Sequence, residues 1–352
     1  MSTINDVAKA AGVSVATVSR ALRGLERVSP ETRARVQQVA TELSYVASPT
    51  AASLASGRTR TIAVVAPFLT RWYFSTLLSA IQQALRPRGY HVMLFDLEGS
   101  RFDHRLFLTP RMLWKRVDGV VTLDIPLTEE ERALLDRLGL PVVSVGTPVP
   151  NRPSVRIDEA WAIRTVTGHL LDLGHREVGY VGSVAGDAAL PWTPQQRLEA
   201  FRATMADHGL TVEPDLVLAS DWTLQGALRD AMGLFGRPHR PTGVVAASDE
   251  MAVGVIEAAR RRGLRVPEDV SVVGIDDYPL AEVFELTTIR QNAAAQGALA
   301  VRMLLGALVD GVDLKDEEVV VPTELVVRAS TAPPAQVRRR SARGRAGRRS
   351  RR

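Results

Sequence analysis

Apolar positions near the start of the chain recur with helical spacing. Ile4, Val7, Ala8 and Ala11 fall at i, i+3, i+4 and i+7 and predict a short helix, with Gly12 placed to end it. Val18, Ala21 and Leu22 repeat the spacing within Val15–Leu22, and Ser14 is suited to cap that segment. A third helix opens at Ser29-Pro30-Glu31: a cap, a proline at the first helical position and an acid near the positive helix end. Its apolar face is Val36, Val39, Ala40 and Leu43. Two short helices joined by a tight glycine-containing turn read as helix-turn-helix. A small three-helix bundle with no nucleic-acid role has the same spacing.

From residue 61 the pattern changes to short apolar runs alternating with amphipathic stretches. The runs Thr61–Ala66, His91–Phe95, Asp118–Leu123, Pro141–Gly146, Val178–Gly182, Gly243–Ala247 and Val270–Ile275 predict strands. Tyr73–Arg86, Ala160–Leu173, Gln195–His208 and Glu250–Arg262 predict helices between them. Val/Ile runs without polar alternation imply strands buried on both faces, hence doubly wound parallel sheets. About 270 residues is too many for one such sheet, so two subdomains are expected.

Composition narrows the function classes. The 352 residues are 45% hydrophobic and 24% charged, which supports real cores, and there is no cysteine, which excludes disulfides and thiolate chemistry. The net charge of +5 is unevenly spread: residues 338–352 carry nine arginines and no acid, residues 1–60 a net +4, leaving −8 for residues 61–337. Nucleic-acid contact should therefore come from the ends of the chain. The start MSTINDVAKAAG lacks the basic and apolar regions of a secretory signal, and no apolar run approaches the ~18 residues of a membrane span. A cytoplasmic protein without membrane contact is the expectation. No phosphate-loop, dinucleotide, nucleophile-elbow or zinc-protease motif occurs, and the six histidines show no metal-ligand spacing. No catalytic residue, metal site or cofactor is assigned.

The stretch TINDVAKAAGVSVATVSRAL, residues 3–22, strongly resembles the DNA-binding headpiece of the lactose/galactose repressor family of bacterial transcription regulators. The resemblance implies that the second helix enters the major groove, with Val15, Ala16 and Arg20 at base-reading positions. The chemistry suits that role: Val15 and Ala16 offer apolar contact to a thymine methyl, and Arg20 can take guanine O6 and N7 together. Ser14, Thr17 and Ser19 are suited to phosphates or caps. Tyr45 resembles the headpiece tyrosine at the start of a hinge that folds on operator DNA, and Leu54 resembles the leucine pushed into the minor groove. The flexible Ala/Ser linker is the alternative reading of residues 48–57. Two departures stand here: Ala47-Ser48 where the family usually has Pro-Asn, and Ala52 where it usually has arginine.

The resemblance continues through LLDLGHREVGYVG, ASDEMAVG, GLRVPEDVSVVGIDD, LTTIRQ and PTELVVRAST, spanning residues 3–332. It implies an effector domain like the periplasmic sugar-binding proteins, two α/β lobes with ligand in the cleft. The organisation expected is a headpiece over 1–47, a hinge helix or linker over 48–60 and an effector domain over 61–332. Lobe 1 would comprise about 61–160 and 292–320, lobe 2 about 161–291 and 321–332, and residues 333–352 a disordered arginine-rich tail. By the same resemblance Arg197 grips the effector, Asp276 accepts from sugar hydroxyls, Ser248 stands where many relatives carry asparagine, and Gln291 is a further cleft candidate. Ser248 is equally suited to cap the following helix. Trp72, Tyr73 and Phe74 follow the first strand and, with Trp192 and Trp222, are candidates to stack on a sugar face or to pack in the core.

The reading is a sequence-specific regulator. It would be a homodimeric repressor of carbohydrate-metabolism genes on a pseudo-palindromic operator, released by a small sugar. A co-repressed or activating regulator, a sugar transport protein and an α/β enzyme remain alternatives. Helix 292–309, through Asn292, Leu299, Met303 and Leu304, is suited either to a dimer face or to a lobe core.

Overall fold

The computed structural model describes residues 2–46, 57–97, 106–183, 192–313 and 317–335. Leu54, most of the hinge and the arginine-rich tail lie outside the described residues. The chain divides into two compact units, residues 1–60 and 61–352.

The first unit is three helices, α1 (Ile4–Ala11), α2 (Val15–Leu22) and α3 (Pro30–Glu42). Each start is fixed by a side chain that satisfies an orphan amide. Thr3 and Asp6 form a reciprocal capping box on α1. Ser14 accepts from the Thr17 amide at 3.1 Å and Ser29 from the Thr32 amide at 3.2 Å. Gly12 takes φ 65°, a left-handed conformation that lets the chain turn from α1 into α2 within three residues. Val7, Val18, Ala21 and Val36 are fully buried where the helices meet, and Tyr45 packs against this core.

The second unit holds two six-stranded sheets. One contains β1 (Thr61–Ala66), β2 (His91–Asp96), β3 (Gly119–Leu123), β4 (Val142–Val145), β5 (Ser154–Arg156) and β11 (Glu318–Val320) in the order β11-β5-β4-β3-β1-β2. The other contains β6 (Val178–Gly182), β7 (Val217–Ala219), β8 (Gly243–Ala246), β9 (Ser271–Asp276), β10 (Thr287–Arg290) and β12 (Glu324–Val326) in the order β12-β10-β9-β8-β6-β7. Every pairing is parallel except β10 with β12.

The alternation of β1 explains its unbroken apolar run. Ile62, Val64 and Ala66 join one core and Ala63 and Val65 another, so both faces of the first sheet are covered. Helices α4 (Trp72–Leu85), α5 (Pro110–Leu113) and α6 (Glu129–Leu138) follow the early strands of that sheet. α7 (Glu159–Asp172), α8 (Trp192–Asp207), α9 (Leu224–Leu234), α10 (Asp249–Arg261) and α11 (Pro279–Val283) accompany the second. α12 (Ala293–Val309) returns to the first sheet, burying Ala300, Met303 and Leu304 with Leu77 and Ile81 of α4, while Leu299 is half-buried. The chain thus passes between the sheets three times: after β5, after β10 and between β11 and β12.

Five short strands, β5, β7, β10, β11 and β12, lie outside the runs predicted from the sequence. Four are three residues long, and three of these (β7, β11 and β12) are edge strands with exposed or half-buried side chains. β10 is central but built on Thr287 and Thr288, whose hydroxyls bond inside the protein.

Candidate functional site

In the three-helix unit, α2 turns Val18 and Ala21 inward, which leaves Ala16 and Arg20 exposed on the opposite face. Val15, at the helix start, is 40% exposed. Ser14 and Thr17 are tied to each other at the cap, their hydroxyls 2.9 Å apart, and Ser19 is half-buried. The result is a protruding helix end with an arginine and two small apolar residues.

In the sheet unit both sheets run 2-1-3-4-5 through their first five strands, an order whose direction reverses beside the first strand. Open α/β sheets bind ligands at the carboxyl ends of strands near such a reversal. A cavity lies there, with an empty volume of about 790 Å³ counting its mouth. Pro67 to Phe74 follow β1, Asp124 follows β3, Gly146 follows β4, Ser248 and Glu250 follow β8, Asp276 ends β9 and Gln291 follows β10.

Arg197 sits on the inner face of α8, 4% exposed. Its Nε donates to Glu159 Oε2 at 2.7 Å, its Nη1 to the Ala247 carbonyl, and its guanidinium lies 5.6 Å from the Trp222 ring. Burial works against the Arg197 charge, but Glu159 outweighs it and holds the guanidinium above its ordinary value. Asp276 Oδ1 accepts from Gln291 Nε2 at 2.6 Å, and Gln296 Nε2 donates to Gln291 Oε1 at 3.0 Å. Burial pushes the Asp276 carboxyl up to about 7, against the lowering effect of Arg197 and Gln291 and with Glu159 and Glu250 adding to the rise.

Behind Asp276 lies Asp249, fully buried at the start of α10, accepting from Thr288 Oγ1 at 2.6 Å and the Tyr278 amide at 3.0 Å. Burial and the Asp276 charge raise its carboxyl well above the ordinary range. A Cβ on Gly274 would stand 2.1 Å from Asp249 Oδ1, so glycine at 274 makes room for this carboxyl.

Ser248 Oγ accepts from the Met251 amide at 3.3 Å and also lines the cavity, so the capping and cleft roles coincide. Trp72, Tyr73, Phe74 and Trp222 all line the cavity. Tyr73 donates to Gln296 Oε1 at 3.0 Å, Trp222 Nε1 donates to Ser183 Oγ, and Phe74 is 8% exposed and joins the first core as well. Trp192 is not brought to the cavity wall. It begins α8, half-buried, with its ring 5.6 Å from the Arg156 guanidinium, because the inward turn of α8 at this level is occupied by Thr193, Pro194 and Arg197.

Residues on both sides close the cleft. Asp124 Oδ1 accepts from Thr147 Oγ1 at 2.7 Å within its own lobe and from Thr193 Oγ1 at 2.6 Å across the gap. Arg71 Nη2 donates to the Asp221 carbonyl at 2.9 Å, and the Trp72 amide donates to Glu250 Oε1 at 3.1 Å. Trp72 meets Tyr278 edge-on at 5.8 Å. Burial lowers the Arg71 guanidinium to about 10, with Glu250 and Asp221 acting to hold its proton. Asp124, Trp222 and Asp276 all take positive φ.

Comparison with known proteins meets this geometry at both ends of the chain. Residues 3–48 match the bacterial regulatory proteins of the lacI family, and residues 167–331 match a periplasmic binding protein-like domain. The HTH-type transcriptional repressor CytR of Escherichia coli (strain K12) is 31% identical over 333 residues, 94% of this chain and 96% of that one. The chain belongs to the lacI family. It is a sequence-specific DNA-binding transcriptional regulator. Among solved structures, the lac repressor dimer bound to operator and the anti-inducer ONPF matches with a TM-score of 0.82 at 27% identity, covering 94% of this chain and 99% of that one. The transcriptional regulator CelR–cellobiose complex matches with a TM-score of 0.66 at 28% identity, covering 94% and 100%.

For this family member, sequence reasoning overlooked Asp124, Glu159, Thr193 and Glu250. Asp124 follows β3 as Asp276 ends β9, and its place at a strand's carboxyl end is the signal that could have found it. Among the described residues no helix is long and apolar enough to cross a membrane, and no group of histidines and acids is placed to hold a metal ion.

Proposed function

We propose that this regulator is a homodimeric repressor of carbohydrate-metabolism genes whose hold on a pseudo-palindromic operator is released by a small sugar in the cleft. The observation that carries the reading is the cavity between the two sheets. It combines aromatic walls, carboxylates and a fixed guanidinium, the surface on which sugar rings stack and hydroxyls find partners. The similar CelR is a complex with cellobiose, and the similar lac repressor is a dimer on operator.

Val15, Ala16 and Arg20 are assigned to base edges, with Ser14, Thr17 and Ser19 beside the phosphates. Leu54, in the hinge, is assigned to the minor groove. Arg197, Asp276, Ser248 and Gln291 hold the sugar, and Trp72, Tyr73, Phe74 and Trp222 wall it. The domain division is a headpiece over 1–47, a hinge over 48–60 and an effector domain over 61–332. A ligand shifts operator affinity only through its differential affinity for the two states of the body.

The test is operator binding by the full chain against a panel of sugars. Weakened binding with one sugar supports release. Tightened binding makes the chain a co-repressed regulator, and indifference to every sugar refutes sugar sensing. Arg20→Ala should lose discrimination at one guanine while keeping weak binding to any duplex; an equal loss on every sequence removes Arg20 from base reading. Arg197→Ala should lose the sugar response; because it also leaves Glu159 buried without its cation, body stability is measured beside operator binding.

A further inference from the structure

We propose that the cleft ligand is an aminated sugar, a polyhydroxylated ring carrying one protonated amino group that is received by Asp276, Glu250 and Asp124. The inference rests on the sugar-sensing reading and narrows it.

The argument begins with the charges that line the cavity. Asp124, Glu159, Glu250 and Asp276 face two arginines, Arg71 and Arg197. Arg197 is committed to Glu159 and to the Ala247 carbonyl. Setting that ion pair aside leaves Asp124, Glu250 and Asp276 against Arg71, an excess of negative charge. Arg71 is itself engaged by the Asp221 carbonyl and lies 3.6 Å over the Phe68 ring.

Each of the three acids uses one oxygen and keeps another. Asp124 Oδ1 takes Thr147 and Thr193, Glu250 Oε1 takes the Trp72 amide, and Asp276 Oδ1 takes Gln291. All these donors are neutral. Among the described residues nothing bonds the second oxygen of any of the three, although Asp276 is only 7% exposed. Burial of the Asp276 carboxyl is only partly offset by Arg197 and Gln291, so it holds its proton to about 7.

A neutral sugar hydroxyl supplies a hydrogen bond to such an oxygen but no charge. An ammonium supplies both, and charge-assisted bonds are about twice as strong as neutral ones. An acidic sugar would add a like charge to the cluster. The indoles of Trp72 and Trp222 line the same cavity and complete a site for a ring that is apolar on its faces and cationic at one substituent.

The test is calorimetric titration of the full chain at pH 7 with glucosamine, galactosamine and mannosamine. Each is set beside its parent hexose and its N-acetyl derivative, so that within a set the amino charge is the main variable. In the set that binds, the amine should be roughly tenfold tighter or more than both neutral partners. Glu250→Gln and Asp276→Asn should each shrink that preference. Tighter binding of a neutral hexose or N-acetyl sugar overturns this inference and leaves sugar sensing standing. Absence of binding by every member overturns both. A preference undiminished in both variants removes the ammonium from these carboxylates.

Discussion

The two functional surfaces are built in opposite ways. On α2 and its cap the candidate side chains come from one stretch, Ser14 to Arg20, and Val15, Ala16 and Arg20 are exposed to meet a partner. In the cleft they are buried or half-buried, come from strand ends and helices far apart in sequence, and several are already bonded to one another. The first surface rests on a small core and a few caps, so its chemistry can change without disturbing its fold. The second is a network in which each group holds its neighbour, so function and stability cannot be altered separately.

The sharpest attempt to break this contrast is Glu159→Gln. It leaves the Arg197 charge buried without its partner, and loss of one member of a buried pair costs roughly 3–5 kcal/mol. Urea unfolding of the body should show it, and the double variant Glu159→Gln with Arg197→Met should recover much of the loss. A single variant as stable as the parent would mean the pair is not structural.

Next in size is a pH effect. An aspartate titrates near 3.8 when unfolded, whereas Asp276 in the folded body titrates at about 7. Between those values the folded protein holds a proton that the unfolded chain has shed, so stability from this group is full below about pH 4. It is lost as pH rises through about 7, a change on the order of a few kcal/mol. Asp276→Asn should flatten the body's stability relative to the parent across that window; parallel profiles would refute the protonated carboxyl.

Gly274→Ala drives a methyl into Asp249 and should cost about 1–3 kcal/mol of body stability while the headpiece unfolds as before. Smaller again is Ser14→Ala, which removes a cap worth about 1 kcal/mol, read as headpiece helicity by circular dichroism. Arg20→Ala, in contrast, should leave stability within about 0.5 kcal/mol, the expectation for an exposed side chain.

This contrast also explains what could be read in advance. The headpiece was legible because its signals are local: Ser14 caps the helix that carries Arg20, and only five residues lie between them. The long strands were legible because both faces are buried. β7, β11 and β12 were not, since two or three apolar residues at a sheet edge are too short a run to stand out. In the cleft, Arg197 and Asp276 came through resemblance, but Glu159 shows no local sign of being Arg197's partner. The two meet only because α7 and α8 pack side by side, 38 residues apart in sequence. Trp192 fell on the wrong side for the same reason: composition marks an aromatic, but only helix phase decides which way it points.

The three passages between the sheets bear on how a signal can travel. Two bodies joined by one peptide can swivel about it. Joined by three, they cannot rotate freely without stretching at least one strap, so their relative freedom reduces largely to flexing about a shared axis. The headpiece is tethered to the first sheet, through β1, whereas Arg197, Ser248 and Asp276 belong to the second. A ligand of the kind proposed for the cleft would act as a wedge or a clasp on a hinge with few degrees of freedom, its stroke limited by the path of the three straps.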